Sequence, residues 1–225
     1  MKIGILITGH PPEELSARGR YDAYFQRLLG DRDFTYQAWS VVDGEMPDSV
    51  HDAEGWLITG SRHGAYEPHP WIPPLEEFIR ACYAAHIPMI GVCFGHQIIA
   101  QAMGGTVEKF DGGWSVGAVD YALEGETVAI NAWHQDQVTV KPAQAQVIGS
   151  TDFCANAALL YGDTFWTIQP HPEYDHDFIE GLLEHRGKGV VPDPQINAAR
   201  AKLDAPLDRE KVAARMAAFF KKERA

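Results

Sequence analysis

Short runs that are almost wholly apolar constrain this chain more than any other feature. Residues 2–8, 56–59 and 87–92 read Lys-Ile-Gly-Ile-Leu-Ile-Thr, Trp-Leu-Ile-Thr and Ile-Pro-Met-Ile-Gly-Val. A strand wetted on one face alternates apolar and polar side chains. Runs without that alternation are covered on both faces. Between them lie stretches with apolar residues at helical spacing, at 21–29, 75–85 and 95–103, the first stopped by Gly30 and the third by Gly104-Gly105. Glycine just past the last periodic residue is a helix-stop signal. Residues 34–42 add a further strand. Fully apolar strands alternating with helices predict an α/β fold, a three-layer sandwich with a central, mostly parallel sheet.

The texture changes after residue 105. Short strand-like runs at 106–110, 115–123, 127–130, 137–140, 146–150, 157–161 and 165–168 are separated by turns. This half predicts β-rich, partly antiparallel structure, including a small antiparallel element. Residues 175–185 predict a helix, 187–194 a linker rich in glycine and proline, and 208–222 a last helix with Asp208 at its N-cap. A length of 225 residues suits one ordinary domain. The expected division is a main unit over 1–185, with 186–225 a linker and helix packed on it.

Nineteen basic against 31 acidic residues give a net charge of −12. That balance argues against nucleic acid or an anionic membrane surface as partner, since both need positive potential. No stretch approaches the roughly 20 apolar residues of a membrane span. Cys82, Cys93 and Cys154 are an odd, sparse set, which suits a reducing compartment better than a disulfide framework. The first residues carry no leader signature, so the cytoplasm is the expected location.

The segment Gly91-Val92-Cys93-Phe94-Gly95 lies where a buried strand meets a helix. This is the nucleophile-elbow pattern, with Cys where many hydrolases carry Ser. Both glycines are needed because the turn is sharp and a side chain on either flank would strike the neighbouring strand or helix. A cysteine there meets the helix N-terminus, which favours thiolate, and the N–H of Phe94 is placed to hold an oxyanion. Cys82 lies inside a helix and Cys154 has no elbow, so both read as structural thiols.

A thiolate needs a proton donor for its leaving group. Of ten histidines, His171 stands apart. It sits between Pro170 and Pro172 after a strand, and the prolines hold the backbone extended. In an extended stretch His171 and Glu173 project to one side, so Glu173 is placed to hold the imidazole, the third-group logic of a triad.

Taken together, Gly91-Val92-Cys93-Phe94-Gly95-His96-Gln97 and Gln169-Pro170-His171-Pro172-Glu173 resemble the two signatures of class I, triad-type glutamine amidotransferases. Asn131-Ala132-Trp133-His134-Gln135-Asp136 resembles the Ser-His-Gly-Asp segment of the GMP-synthetase glutaminase domain, and Leu57-Ile58-Thr59-Gly60-Ser61 its strand before the oxyanion loop. The likeness covers roughly residues 1–185 and implies a flavodoxin-like sandwich and a catalytic domain there. It implies hydrolysis of the γ-amide of glutamine or a γ-glutamyl compound through a thioester. Residue by residue, it implies Cys93 as nucleophile, His171 as base and acid, and Glu173 as its orienter. It implies the N–H groups of Ser61 and Phe94 as oxyanion hole, and Gly60, Gln97, Trp133, His134, Gln135 and Asp136 around the glutamyl group. It implies no cofactor or metal, and a possible separate synthase subunit that accepts ammonia. Gly60-Ser61-Arg62 in place of Gly-Gly-Pro, and Gln135 in place of Gly, look closer to the stand-alone branch that includes γ-glutamyl peptidases acting on glutathione-like conjugates.

Other readings are weighed against this one. Dienelactone hydrolases also use Gly-x-Cys-x-Gly, but their acid precedes their histidine. A metal hydrolase would draw on His63, His69, His134, His171 and His176, yet no His-x-x-x-His or His-Glu-x-x-His pair occurs. Asp175-His176-Asp177 reads as a helix start. A non-catalytic regulatory subunit on the same fold is the third. Trp71, Trp114 and Trp133 are candidates for pocket lining.

Overall fold

The computed structural model describes residues 1–30 and 32–224. The chain begins β1 (Lys2–Leu6), α1 (Tyr21–Leu29), β2 (Thr35–Trp39), β3 (Gly55–Ile58), α2 (Ile72–Ala84), β4 (Met89–Val92), α3 (Phe94–Ala102). It continues β5 (Thr106–Lys109), β6 (Ser115–Leu123), β7 (Glu126–His134), β8 (Asp136–Val140), β9 (Gln146–Ser150), β10 (Ala158–Tyr161) and β11 (Phe165–Ile168). It closes with α4 (His176–Leu182), α5 (Asp193–Arg200) and α6 (Arg209–Lys221).

Among the described residues the large sheet runs β2-β1-β3-β4-β11-β10-β9-β6-β7, and β5 and β8 form a separate two-stranded sheet. Pairing is parallel from β2 through to β11. It is antiparallel from β11 outward to β7. The small antiparallel element is therefore β5–β8, while most of the β-rich half extends the main sheet. Side chains of the apolar runs divide between its two faces, as the pleat requires. Ile3, Ile5, Leu57, Ile90 and Val92 join Phe25 of α1 and Val212, Met216 and Phe220 of α6. Leu6, Trp56, Ile58 and Met89 join α2 and α3 on the opposite face. Two helical layers around one sheet make the expected three-layer sandwich.

Several boundaries depart from the sequence reading: the strand expected over 34–42 ends at Trp39, and the helix expected over 75–85 begins at Ile72. β1 stops at Leu6, because Thr8 turns to pair with Thr59: its hydroxyl donates to the Thr59 carbonyl at 2.9 Å. β7 runs on to His134, held along its whole length by β6. The helix predicted over 175–185 changes after Leu182 to a wider turn, Leu183–Gly187. The expected linker ends early, because α5 begins at Asp193. Pro194 lies in the first turn of α5, where a missing N–H costs nothing.

Candidate active site

The carboxyl ends of three neighbouring parallel strands, β3, β4 and β11, meet at one point. In open α/β sheets ligands bind at such ends. β3 leads into Gly60, β4 into Cys93 and β11 into His171.

Cys93 caps α3 with φ of 53° and ψ of −104°. This left-handed backbone is rare for a residue with a side chain and persists only where its surroundings hold it. The chain around it does so. A Cβ on Gly91 would lie 2.5 Å from the Gly95 backbone, and one on Gly95 would lie 2.3 Å from the Ile58 carbonyl oxygen. Strand and helix approach so closely that only glycine fits at either flank. The Cys93 N–H donates to the Ile168 carbonyl at 2.9 Å, tying the elbow to β11. Phe94 follows in the first turn of α3, where backbone N–H groups lack intrahelical partners. Its ring packs away from the site toward Trp71, 5.5 Å between centroids.

His171 and Glu173 are buried, each about 2% exposed. Nδ1 of His171 donates to Oε1 of Glu173 at 2.7 Å, which leaves Nε2 for the sulfur side. The His171 N–H donates to the Asn131 carbonyl at 2.8 Å. Its ring lies flat on Tyr174, 4.0 Å away and 7° from parallel. Burial opposes the imidazolium. The charges of Glu173 and Cys93 and hydrogen bonds to both outweigh burial and raise His171 to about 10. Gly60 closes the group: a Cβ there would sit 3.0 Å from Cε1 of His171 and 3.8 Å from the Cys93 Cβ.

In front of Cys93 opens a cavity of about 470 Å³. Ser61, Gln97, Trp133, His134, Gln135 and Asp136 all line it with Cys93. Gly60, Phe94, His171 and Glu173 stand behind this wall. Several of the lining side chains already have partners. Gln97 donates to the Asp136 carbonyl at 3.0 Å and to Gln169 Oε1 at 3.2 Å. It thereby ties α3 to the β7–β8 turn. Gln135 donates to the Phe110 carbonyl at 3.3 Å. His134 keeps Nδ1 on the Asp136 carbonyl, and its Nε2 is buried without a hydrogen-bond partner among the described residues. Burial, then the His171 charge, lower His134 to about 3, so its ring is neutral. Burial raises the Asp136 carboxyl, and a hydrogen bond from Tyr66 across the cavity pulls it back.

Sequence reasoning missed Tyr174, the Asn131 carbonyl and Arg209. From the start of α6, Arg209 donates to the carbonyls of Pro172 at 2.8 Å and Glu173 at 3.1 Å, pinning the segment that holds the acid. Nothing near Arg209 in the sequence marks it. Trp114 and Trp133 do line the cavity, their rings 6.0 Å apart. Trp71 is buried in the α2–α3 core.

The sequence profile of the family described as "Glutamine amidotransferase class-I" matches residues 45–180, a span that includes Cys93, His171 and Glu173. The chain belongs to that family. Among relatives of this class I glutamine amidotransferase, gamma-glutamyl peptidase 4 of Arabidopsis thaliana is 31% identical over 198 residues, 80% of this chain and 79% of that one. The glutamine-hydrolyzing GMP synthase of Streptomyces coelicolor is 32% identical over 197 residues, 77% of this chain and 35% of that one. A glutamine amido transferase crystal structure from Methylobacillus flagellatus superposes with a TM-score of 0.75 at 23% identity, covering 97% of this chain and 92% of that one, a likeness of fold. Among the described residues no helix is long and apolar enough to cross a membrane.

Proposed function

We propose that the chain hydrolyses γ-glutamyl amides through a thioester on Cys93. The observation that carries this is the strained elbow cysteine beside an imidazole whose far nitrogen is fixed by Glu173 at 2.7 Å. The Cys93 sulfur adds to the γ-carbonyl carbon. The N–H groups of Ser61 and Phe94 receive the oxyanion, one such donor being worth about 3 kcal/mol. His171 carries the proton and delivers it to the departing nitrogen as the C–N bond breaks. Water then adds to the thioester, His171 accepts its proton, and the sulfur leaves as the acid product forms. Trp133, His134, Gln135 and Asp136 surround the glutamyl part.

A specific observation favours a γ-glutamyl peptide over free glutamine. Although the chain carries a net charge of −12, the cavity wall holds Arg62, Lys109, Arg186 and Lys188 against Glu67 and Asp136. A cationic wall with two tryptophans suits an amine product that bears its own carboxylate and apolar bulk, whereas ammonia needs neither. With free glutamine as substrate, a synthase subunit would instead be expected to collect the ammonia.

The test is turnover of the whole chain with glutamine and with γ-glutamyl dipeptides, read as ammonia and as free amine. The dipeptides should be preferred. Cys93→Ala should abolish product in both assays, and Cys93→Ser should accumulate no thioester. Full turnover by Cys93→Ala would sink the reading.

A further inference from the structure

The loop between β3 and α2 carries a group of side chains for which the triad has no use. One donor atom from each of His63, Glu67 and His69 lies within 4.8 Å of the other two. Glu67 Oε2 stands 3.4 Å from His63 Nδ1 and 2.7 Å from His69 Nε2. Ligands about 2.0–2.1 Å from a tetrahedral zinc ion stand about 3.4 Å apart. The first separation already matches, and the second matches after opening by about 0.7 Å. Two imidazole nitrogens and one carboxylate oxygen are also the donor set of open zinc sites, which keep a fourth position for solvent or ligand.

The surroundings hold the donors and leave them reachable. Tight turns fix the loop: the Glu67 N–H donates to the Gly64 carbonyl at 3.0 Å, and the His69 N–H to the Glu67 carbonyl at 2.8 Å. The His69 ring lies parallel to Trp71, 11° apart, so it cannot swing freely. The three side chains are 20%, 40% and 31% exposed, enough to admit an ion. His63 and Glu67 line the same cavity as Cys93. The His63 N–H also donates to Ser61 Oγ at 3.1 Å, which couples the group to the oxyanion loop.

We propose that His63, Glu67 and His69 bind a divalent cation of the zinc class, with the fourth coordination position open to the cavity. Bound there, the ion fixes the loop that carries Ser61. The spacing His-x-x-x-Glu-x-His escapes a search for paired histidines because its central donor is a carboxylate.

Chelator-treated whole chain carrying Cys93→Ser removes the competing sulfur ligand and serves as the parent for titration. Zn²⁺ is followed by calorimetry and Co²⁺ by visible absorption. One ion per chain, the intense visible bands of tetrahedral cobalt, and a metal-dependent rise in Tm are expected. Glu67→Gln, His69→Ala and His63→Asn, each in that parent, should weaken binding about tenfold or more and abolish the rise in Tm. Metal-free Tm values near the parent's exclude misfolding for each variant used. Absence of stoichiometric binding overturns the proposal. So does binding that all properly folded variants retain, which leaves the trio a hydrogen-bonded ring around Glu67. Because binding is read without turnover, failure here leaves the hydrolase reading standing, and the reverse holds too.

Discussion

Two side chains at the site are held so tightly that small changes have calculable consequences. Gly60→Ala puts a methyl 3.0 Å from Cε1 of a ring clamped between Glu173 and Tyr174. The ring has to give by a few tenths of an ångström, which moves Nε2 relative to sulfur. We expect kcat to fall about 10–100-fold, the scale of sub-ångström to 1 Å misplacement in catalysis, with Tm within a few degrees of wild type. Steady-state kinetics beside a thermal melt checks this, and unchanged kcat would count against the placement of His171. Glu173→Gln removes the charge that helps raise His171. Turnover should fall about 10²–10⁴-fold, by analogy with neutralised triad acids, and the alkaline limb of kcat/KM against pH should move to lower pH. Both segments were legible in the sequence, each by its own local pattern: two glycines around one cysteine, and an extended Pro-His-Pro-Glu run. Tyr174 was not legible. Stacking on His171 depends on how the chain turns after Glu173, and no local pattern encodes that.

Elements placed the site more firmly than their boundaries suggested. The strands leading to Gly60, Cys93 and His171 were all readable as apolar runs. Their adjacency was not, because β11 joins β4 in the sheet only after six strands have been laid elsewhere. Hydrophobic pattern says that a strand is buried and is silent about its neighbour. The sequence reading holds no helix at α5 at all, for a simpler reason: Pro194 reads as part of a linker where it serves a first turn. α6 was expected, but its role was not. Arg209 makes two charge-assisted hydrogen bonds to the backbone of the acid's segment, across 36 and 37 residues of chain. Arg209→Ala should lower stability by about 2–4 kcal/mol, the scale of two such bonds partly replaced by water. It should also reduce kcat more than KM, since it loosens Glu173 and leaves the cavity wall intact. Arg209→Lys restores one donor and should recover part of both. Denaturant melts and kinetics measure the two effects separately. Equal loss of stability with normal kcat would make α6 a packing element only.

For the whole molecule, buried histidines of opposite bias set a stability maximum. His96 is fully buried, its Nδ1 2.8 Å from the Thr167 hydroxyl, and burial lowers it to about 3. His134 is lowered to about 3 for the same first reason. Between roughly pH 3 and 6.5 the unfolded chain binds protons at these two rings that the folded chain refuses, so stability falls as pH falls. At about 1.4 kcal/mol per pH unit for each group, the pair contributes a slope of roughly 3 kcal/mol per unit. His171 has the opposite sign. Raised to about 10, it holds a proton in the fold that the unfolded ring releases above roughly pH 6.5. Its contribution is whole below that pH and is lost as pH rises through the folded value. The two slopes meet near pH 6.5, where this group of histidines favours the fold most. Chemical denaturation from pH 4 to 10 should show a maximum in that region. Cys93→Ala removes one support of the His171 proton and should flatten the alkaline slope while leaving the acid slope in place. His96→Gln should do the reverse, relieving about half of the acid slope. A Cys93→Ala curve that changed only on the acid side would mean that the sulfur and the ring do not share a proton, and the chemistry assigned to them would lose its electrostatic basis.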